Sequence, residues 1–349
     1  MRIRDYHIKI GTLSPGRNNT ISDVEGVKVG HCTISQGDIQ TGVTAVIPHS
    51  GNLFKEKVVG AIHTINGFGK TTGSIQLEEL GTIETPIILT NTFAVGVGIQ
   101  GVIDYTLNHN LDIGRTTGTV NSIVCECNDM LINDIRKDSL SKNHVLEAIE
   151  SATKDFNQGS LGAGTGMVSF GLKGGIGSSS RTITIHNEIY TLGVLVLSNF
   201  GRLEHLTIGG KVVGPLIKEL LKEKQLGGER EQGSIIILVA TDAPLSERQV
   251  KRVLKRTTVG LSRTGSHIGN GSGDIAIGFT TANKVKHEDS NTVIYTNQII
   301  QDYLLDPIFQ AAAEATEEAI LDSMLAANTT TARNGQKIYS LREFMNTLM

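Results

Sequence analysis

Between residues 162 and 177 the chain reads GAGTGMVSFGLKGGIG, with glycine recurring inside an otherwise apolar segment. A flexible linker would be polar. Glycine inside apolar sequence instead marks backbone packed closely on backbone, or backbone lining a site. The habit extends through the chain: 40 of 349 residues are Gly, none is Trp and only 4% are aromatic, against a usual glycine share of about 7%. A core short of large rings must be built from β-branched and aliphatic residues on closely stacked layers.

The local patterns agree. From Val27 to Val97, short β-branched runs broken by Gly and Pro (VKVGHCTI, TGVTAVIP, KVVGAIHTI, TPIILTNT) read as strands. SIQLEEL and VGIQGVIDYTLNHN have helical spacing, the second with Ile99, Val102, Ile103 and Leu107 on one face. NSIVCE (121–126) reads as a strand, and NHVLEAIESATKDF as a helix capped by Asn143. RTITIHNEIYTLGVLVLSNFG reads as a hairpin turning at Asn187-Glu188, and GPLIKELLKEKQLGG as a short helix opened by Pro215. Residues 226–233, LGGEREQG, form the most loop-like stretch and run straight into IIILVATDAPL, the unbroken apolar run of a strand buried on both faces. Ser246 then opens a helix with Gln249 at the capping-box position. GNGSGD turns into the strand IAIGFTT, and residues 301–327 read as a long amphipathic helix. With no internal repeat and no dividing linker, the expectation is one large α/β domain.

Several function classes drop out. A net charge of −3 argues against nucleic-acid binding through bulk charge. No apolar run reaches the roughly 18 to 20 residues of a membrane helix, and the N-terminus lacks the apolar block of a signal peptide, so a cytoplasmic protein is expected. Cys32, Cys125 and Cys127 suit a reducing compartment, and without a neighbouring His the C-x-C pair is a poor zinc site. Ten scattered histidines show no metal-ligand spacing, so no metal is expected. Gly69-Lys70-Thr71 resembles the end of a P-loop, but Thr64 stands where that motif needs Gly. Gly96-x-Gly98-x-x-Gly101 satisfies a dinucleotide fingerprint, which keeps a nucleotide-binding protein open as an alternative.

Ser234 is the candidate nucleophile, held between a polar loop and a buried strand. A serine hydroxyl needs a base. Cleavage of the chain at Gly233-Ser234 would provide one, because the freed α-amino group, with a pKa of about 7.7 to 8.0, sits on the same residue. Gly233 suits such a bond because it tolerates unusual backbone angles. Yet Gly-Ser occurs six times, also at Ser74, Ser160, Ser178, Ser266 and Ser272, so the dipeptide alone does not decide.

Seven ordered blocks do. DVEGVKVGH (23–31), TGVTAVIP (41–48), NGFGKTTGSIQLEELGTIETPIILTNT (66–92), GAGTGMVSFGLKGGIGSSSR (162–181), VLSNFG (196–201), GSIIILVATDAPLSERQ (233–249) and NGSGDIAIGF (270–279) resemble the family of the L-aminopeptidase/D-esterase DmpA and the β-peptidyl aminopeptidases. The resemblance implies an αββα sandwich, similar in layer plan to ornithine acetyltransferase. It also implies a self-processing N-terminal-nucleophile hydrolase that releases N-terminal residues from small peptides, amides or esters without a cofactor. The family's cleavage site falls on Gly233-Ser234, dividing residues 1–349 into chains 1–233 and 234–349, and its members imply a homo-oligomer of cut chains. Ser272 and Asp274, in GSGD, match a proton-relaying pair, although some relatives carry Glu at the second position. Asn199, in SNFG, matches an oxyanion-hole amide, and Glu126 an acidic residue that meets the substrate's ammonium. Without the resemblance, GSGD is a polar turn before a strand, Asn199 a turn residue and Glu126 a solvated strand end. One departure stands out: many relatives have Tyr in E-x-x-D-x-Y, where this chain has Leu131. Acyl transfer to an amine, as in ornithine acetyltransferase, is the alternative chemistry.

Overall fold

The computed structural model describes residues 1–222, 233–288 and 293–348. In chain order its main elements are β1 (Lys28–Gln36), β2 (Ile39–Ile47), β3 (Glu56–Gly67), α1 (Ser74–Leu80), β4 (Thr82–Ile83), β5 (Ile87–Asn91), α2 (Val95–His109), β6 (Ile123–Cys127) and α3 (Lys142–Glu150). There follow two-residue strands β7 (Val168–Ser169) and β8 (Leu172–Lys173), then β9 (Gly175–Ile185) and β10 (Glu188–Asn199). After the short β11 (Thr207–Ile208) and β12 (Lys211–Val212) come α4 (Gly214–Lys222), β13 (Ser234–Thr241), α5 (Glu247–Arg263), β14 (Gly273–Lys286) and α6 (Asp306–Ala326).

Two sheets result, one of four strands in the order β1-β2-β5-β6 and one of six in the order β4-β3-β14-β13-β10-β9. Strand alternation sorts their side chains into three apolar layers. On β13, Ile235, Ile237 and Val239 face α5 and α6 with Val250, Leu254, Ile308 and Ala315, whereas Ile236, Leu238 and Ala240 enter the space between the sheets. The four-stranded sheet sends Ile87, Leu89, Ile123, Cys125 and Cys127 into that middle layer. Its other face, with Val43, Ala45, Ile88 and Val124, meets Val102 of α2 and Val145 and Ala148 of α3. The order of layers is helix, sheet, sheet, helix, as the resemblance implies.

The glycine-rich block packs as its composition demands. A methyl group on Gly177 of β9 would stand 1.9 Å from the Ala319 carbonyl oxygen, so α6 lies directly on the β9 backbone. The same physics corrects the dinucleotide reading. Gly96, Gly98 and Gly101 lie inside helix α2 and not in a loop before it. A methyl on Gly98 would meet Val124 at 2.7 Å, and one on Gly101 would meet Val145 at 2.6 Å. The face of α2 that is buried is therefore Gly98, Gly101, Val102 and Thr106, with Leu107 exposed. Close packing accounts for Gly98 and Gly101, whereas a methyl on Gly96 would meet nothing within 4 Å.

Three local expectations shift. Helix α3 starts at Lys142 behind Ser141, whose N–H donates to His144 Nδ1, so the cap is Ser141 and not Asn143. It ends at Glu150, because Thr153 pairs with Val29 at the edge of β1. The β9–β10 turn falls on His186-Asn187, one residue early, with His186 at φ 53°. Ser246 and Gln249 form the expected capping box. The loop at 226–232 lies outside the described residues.

The largest departure is α6, which is buried on nearly every side beyond its first turn, with Glu314, Glu317, Glu318 and Asp322 included. Glu314, Glu318 and Asp322 lie under the N-terminal segment. Arg4 Nε meets Glu318 at 2.6 Å, Arg181 Nη2 meets Glu318 at 2.7 Å, and Arg181 Nε meets Glu314 at 3.1 Å. Burial alone would raise the Glu318 carboxyl, but Arg4 and Arg181 outweigh it and hold it below its ordinary value. Asp322 has no such partner. Its Oδ1 accepts the Ile3 N–H at 2.7 Å, while Oδ2 has no hydrogen bond among the described residues. Burial pushes its carboxyl up to about 8. A carboxyl raised in the folded state stabilises the fold while protonated, and that contribution is lost as pH climbs from about 4 toward the folded value. The Asp322 contribution to the wild-type melting temperature is expected to fall between about pH 4 and pH 8 and to level off above, and Asp322→Asn to flatten that decline. Parallel curves for the two proteins in thermal melts would refute the assignment.

Candidate active site

Strand directions bring the sequence candidates to one end of the six-stranded sheet. β10 runs antiparallel to β13, so its last residue, Asn199, pairs with the first residue of β13, Ser234. β14 runs parallel to β13, so both begin together and Ser234 pairs with Gly273, between Ser272 and Asp274. Ser234 is 6% exposed. A side chain at Gly233 has no space, since a methyl there would lie 2.2 Å from the Asn199 carbonyl oxygen and 2.5 Å from Phe200 Cα. The lack of space for a Cβ by itself requires glycine at this position.

The Gly273 N–H is shared between two acceptors, Ser234 Oγ at 3.2 Å and the Gly233 carbonyl oxygen at 3.3 Å. Hydroxyl and carbonyl thus meet on one donor. Across Gly273, Ser272 Oγ donates to Asp274 Oδ1 at 2.6 Å, and both side chains are buried. The turn before them is held by Asn66, whose Nδ2 donates to the Ser272 carbonyl and, at 3.2 Å, to the Gly269 carbonyl.

Asn199 is clamped from two loops. Its Oδ1 accepts the Val168 N–H at 2.8 Å and its Nδ2 donates to the Asn128 carbonyl at 2.9 Å. These partners fix which end of the amide is nitrogen and leave a second N–H to point elsewhere.

Glu126, at the end of β6, is 3% exposed. Oε1 accepts the Lys70 N–H at 3.0 Å and Oε2 accepts the Thr92 hydroxyl, which leaves carboxylate lone pairs for a further donor. Gly69 joins this corner to the nucleophile end: a methyl on it would stand 3.7 Å from Glu126 Oε1 and 3.6 Å from Gly273 Cα. Burial pushes the Cys127 thiol well above its ordinary value, and the charges of Glu126 and Asp274 add to the effect. Both acids therefore act on the same small region, an environment suited to a cation. Exposed apolar side chains stand in the segments that build the site. Phe68 adjoins Gly69, Phe93 adjoins Thr92, and Met130 and Leu131 follow Asn128, with Leu131 45% exposed at the position where the sequence resemblance implies Tyr.

Ser234, Asn199, Ser272, Asp274, Gly233 and Glu126 are all placed at this end of the sandwich. The Gly273, Lys70 and Val168 N–H groups were not foreseen, because a main-chain donor has no residue signature. Thr92 and Asn128 were not among the expected site residues. Lys173 did carry a signal, as the one charged residue inside the apolar block 162–177.

Comparison with known proteins gives consistent results. A family model described as peptidase family S58 matches residues 19–338. The chain is 37% identical to β-peptidyl aminopeptidase BapA of Sphingosinicella microcystinivorans over 97% of its own length and 89% of that protein. Among solved structures, the PH0078 protein of Pyrococcus horikoshii OT3 superposes with a TM-score of 0.93 at 49% identity, covering 99% of this chain and 98% of that one. The L-aminopeptidase D-Ala-esterase/amidase of Ochrobactrum anthropi, described as a variant of the N-terminal-nucleophile hydrolase fold, superposes with a TM-score of 0.91 at 30% identity, covering 99% and 97%.

Proposed function

The chain belongs to peptidase family S58 and is an aminopeptidase on an N-terminal-nucleophile hydrolase fold, and from that premise we propose that it cuts itself between Gly233 and Ser234 and then uses Ser234 as its nucleophile. The observation that carries this reading is the Gly273 N–H shared by Ser234 Oγ and the Gly233 carbonyl oxygen. In the uncut chain the hydroxyl adds to the Gly233 carbonyl carbon, the C–N bond breaks, and the acyl group moves from nitrogen to oxygen. Water hydrolyses the resulting ester. Gly233 keeps the carboxylate, and Ser234 gains a free α-amine.

That amine takes the proton of its own Oγ as the hydroxyl attacks a substrate carbonyl. The second N–H of Asn199 meets the developing oxyanion, and the Ser272–Asp274 pair orients the amine and relays its proton. The leaving amine or alcohol takes a proton, and water then releases the acyl group as acid. The substrates are small peptides, amides or esters with a free amino terminus, held by Glu126 through its ammonium, with Phe68, Phe93, Met130 and Leu131 against their apolar parts. The relatives are aminopeptidases, so acyl transfer to an amine is not favoured. The cut chains, 1–233 and 234–349, stay together in a cytoplasmic homo-oligomer, whose size is checked by size-exclusion chromatography with light scattering.

Intact mass spectrometry of untagged protein tests the reading. Two species are expected, of 233 and 116 residues, the smaller beginning at Ser234. A single 37.4 kDa chain that persists on incubation would overturn it. Glu126→Gln tests the ammonium assignment. A charge-assisted contact contributes about 1.5–3 kcal/mol, so KM for an aminoacyl p-nitroanilide should rise roughly 10- to 150-fold. If discrimination against the N-acetylated substrate is unchanged, Glu126 does not read the amine.

A further inference from the structure

Lys173 is fully buried at the end of β8, yet among the described residues no carboxylate forms an ion pair with it. Its Nζ donates to three main-chain carbonyls, Met167 at 2.7 Å, Gly174 at 2.9 Å and Gly164 at 3.0 Å. An ammonium has three donors and no acceptor, so three carbonyls satisfy it completely. All three belong to the segment 164–174, which folds back on itself through the β7–β8 hairpin, with Phe170 and Gly171 at positive φ in the turn. Burying a charged lysine is costly unless hydrogen bonds or an opposite charge offset the lost hydration, and here three carbonyls supply the hydrogen bonds. Burial draws its ammonium down to about 7, and the negative charge of Asp129 works against that loss.

What this segment delivers is the Val168 N–H, immediately after the Met167 carbonyl that Lys173 holds. That N–H is the donor to Asn199 Oδ1. The opposite clamp, the Asn128 carbonyl, adjoins Asp129, whose Oδ1 accepts from Asn133 Nδ2 at 3.0 Å and whose own carbonyl accepts the Asn133 N–H at 2.9 Å. The two clamps touch: a methyl on Gly166 would stand 2.7 Å from Asp129 Cβ. Two buried groups of opposite charge thus organise the two loops that grip the Asn199 amide.

We propose that Lys173 is a positioning residue for the Asn199 amide, gathering the carbonyls of Gly164, Met167 and Gly174 so that the Val168 N–H fixes the amide in the orientation that receives the oxyanion. The proposal rests on the oxyanion reading of Asn199 and deepens it. Lys173 touches no substrate, so its loss acts on kcat through Asn199 and leaves KM in place.

The test is a double-mutant cycle on the full chain with an aminoacyl p-nitroanilide, kcat being expressed per cut chain as counted by intact mass. A misplaced oxyanion donor should lower kcat about 100-fold in Lys173→Met with KM within about twofold. Because both changes disable one donor, Lys173→Met/Asn199→Ala should be no slower than Asn199→Ala alone. Wild-type kcat in Asn199→Ala would remove the oxyanion reading and this proposal with it. A slow Asn199→Ala beside a wild-type Lys173→Met, or losses that multiply in the double variant, would overturn the proposal alone. Should Lys173→Met not accumulate as folded protein, Lys173→Gln takes its place. Its amide keeps two donors, so kcat is expected between wild type and Asn199→Ala, and full wild-type kcat would overturn the proposal.

Discussion

Ser234→Ala is expected to remain a single 37.4 kDa chain and to hydrolyse no aminoacyl p-nitroanilide above the buffer rate. One atom is lost, and under the proposed mechanism it serves twice. Without Oγ nothing adds to the Gly233 carbonyl, so no α-amine is released, and without the amine there is neither nucleophile nor base for turnover. The fold should survive. Ser234 enters the β13–β14 ladder through its main chain, and among the described residues Oγ accepts only the Gly273 N–H, which retains the Gly233 carbonyl as partner. Circular dichroism and the denaturation midpoint are therefore expected to match those of uncut wild type. A Ser234→Ala chain that still separates into fragments of 233 and 116 residues would refute self-cleavage by this hydroxyl. One that stays whole yet hydrolyses substrate would move the nucleophile elsewhere.

Arg181→Met should be the most destabilising single change at the N-terminal seam. The guanidinium is fully buried and serves four partners: Glu318 at 2.7 Å, the Ile10 and Ser180 carbonyls at 2.8 Å, and Glu314 at 3.1 Å. Removing one partner of a buried ion pair costs about 3–5 kcal/mol, because the remaining charge stays buried without compensation. Glu318 keeps Arg4 and Asn19, but Glu314 is left with the Thr12 and Leu13 N–H groups and Gln310. Arg181→Lys is not expected to restore stability, since one ammonium cannot reproduce a planar fork that spans two carboxylates and three carbonyls, those of Ile10, Ser180 and Glu314. The loss should appear as a lower urea midpoint with an unchanged slope. An unshifted midpoint would refute the assignment. Under the proposed cleavage this seam gains a second meaning. Arg4, Asn19 and Arg181 lie before the cut and Glu314, Glu318 and Asp322 after it, so the same contacts hold the two chains together.

What could be read along the chain was whatever neighbours in sequence decide. The Ser246–Gln249 box starts a helix because both partners lie within one turn. The run after Ser234 is a strand buried on both faces because no residue in it tolerates water on either side. The hairpin of β9 and β10 was visible and its turn misplaced by one residue, since His186 takes a left-handed conformation that its residue type does not advertise. Helix α6 was found, but its acidic side was assigned to solvent, because the arginines that cover it are more than 130 residues away. The same limit hid the meaning of Gly98 and Gly101, whose spacing resembles a phosphate loop until Val124 and Val145 are seen against them.

By itself, the sequence determined the alternation of strands and helices, the polar-to-apolar junction at Ser234 and, through its ordered motifs, the family. All of these follow from side-chain type and short-range spacing. Only the tertiary structure decided that Asn199 and Gly273 flank Ser234, that Gly69 bridges toward Glu126, and that Lys173 faces carbonyls rather than a carboxylate. Those relations depend on strand register and on main-chain donors and acceptors, which every residue but proline carries alike, so no pattern of residue types can announce them.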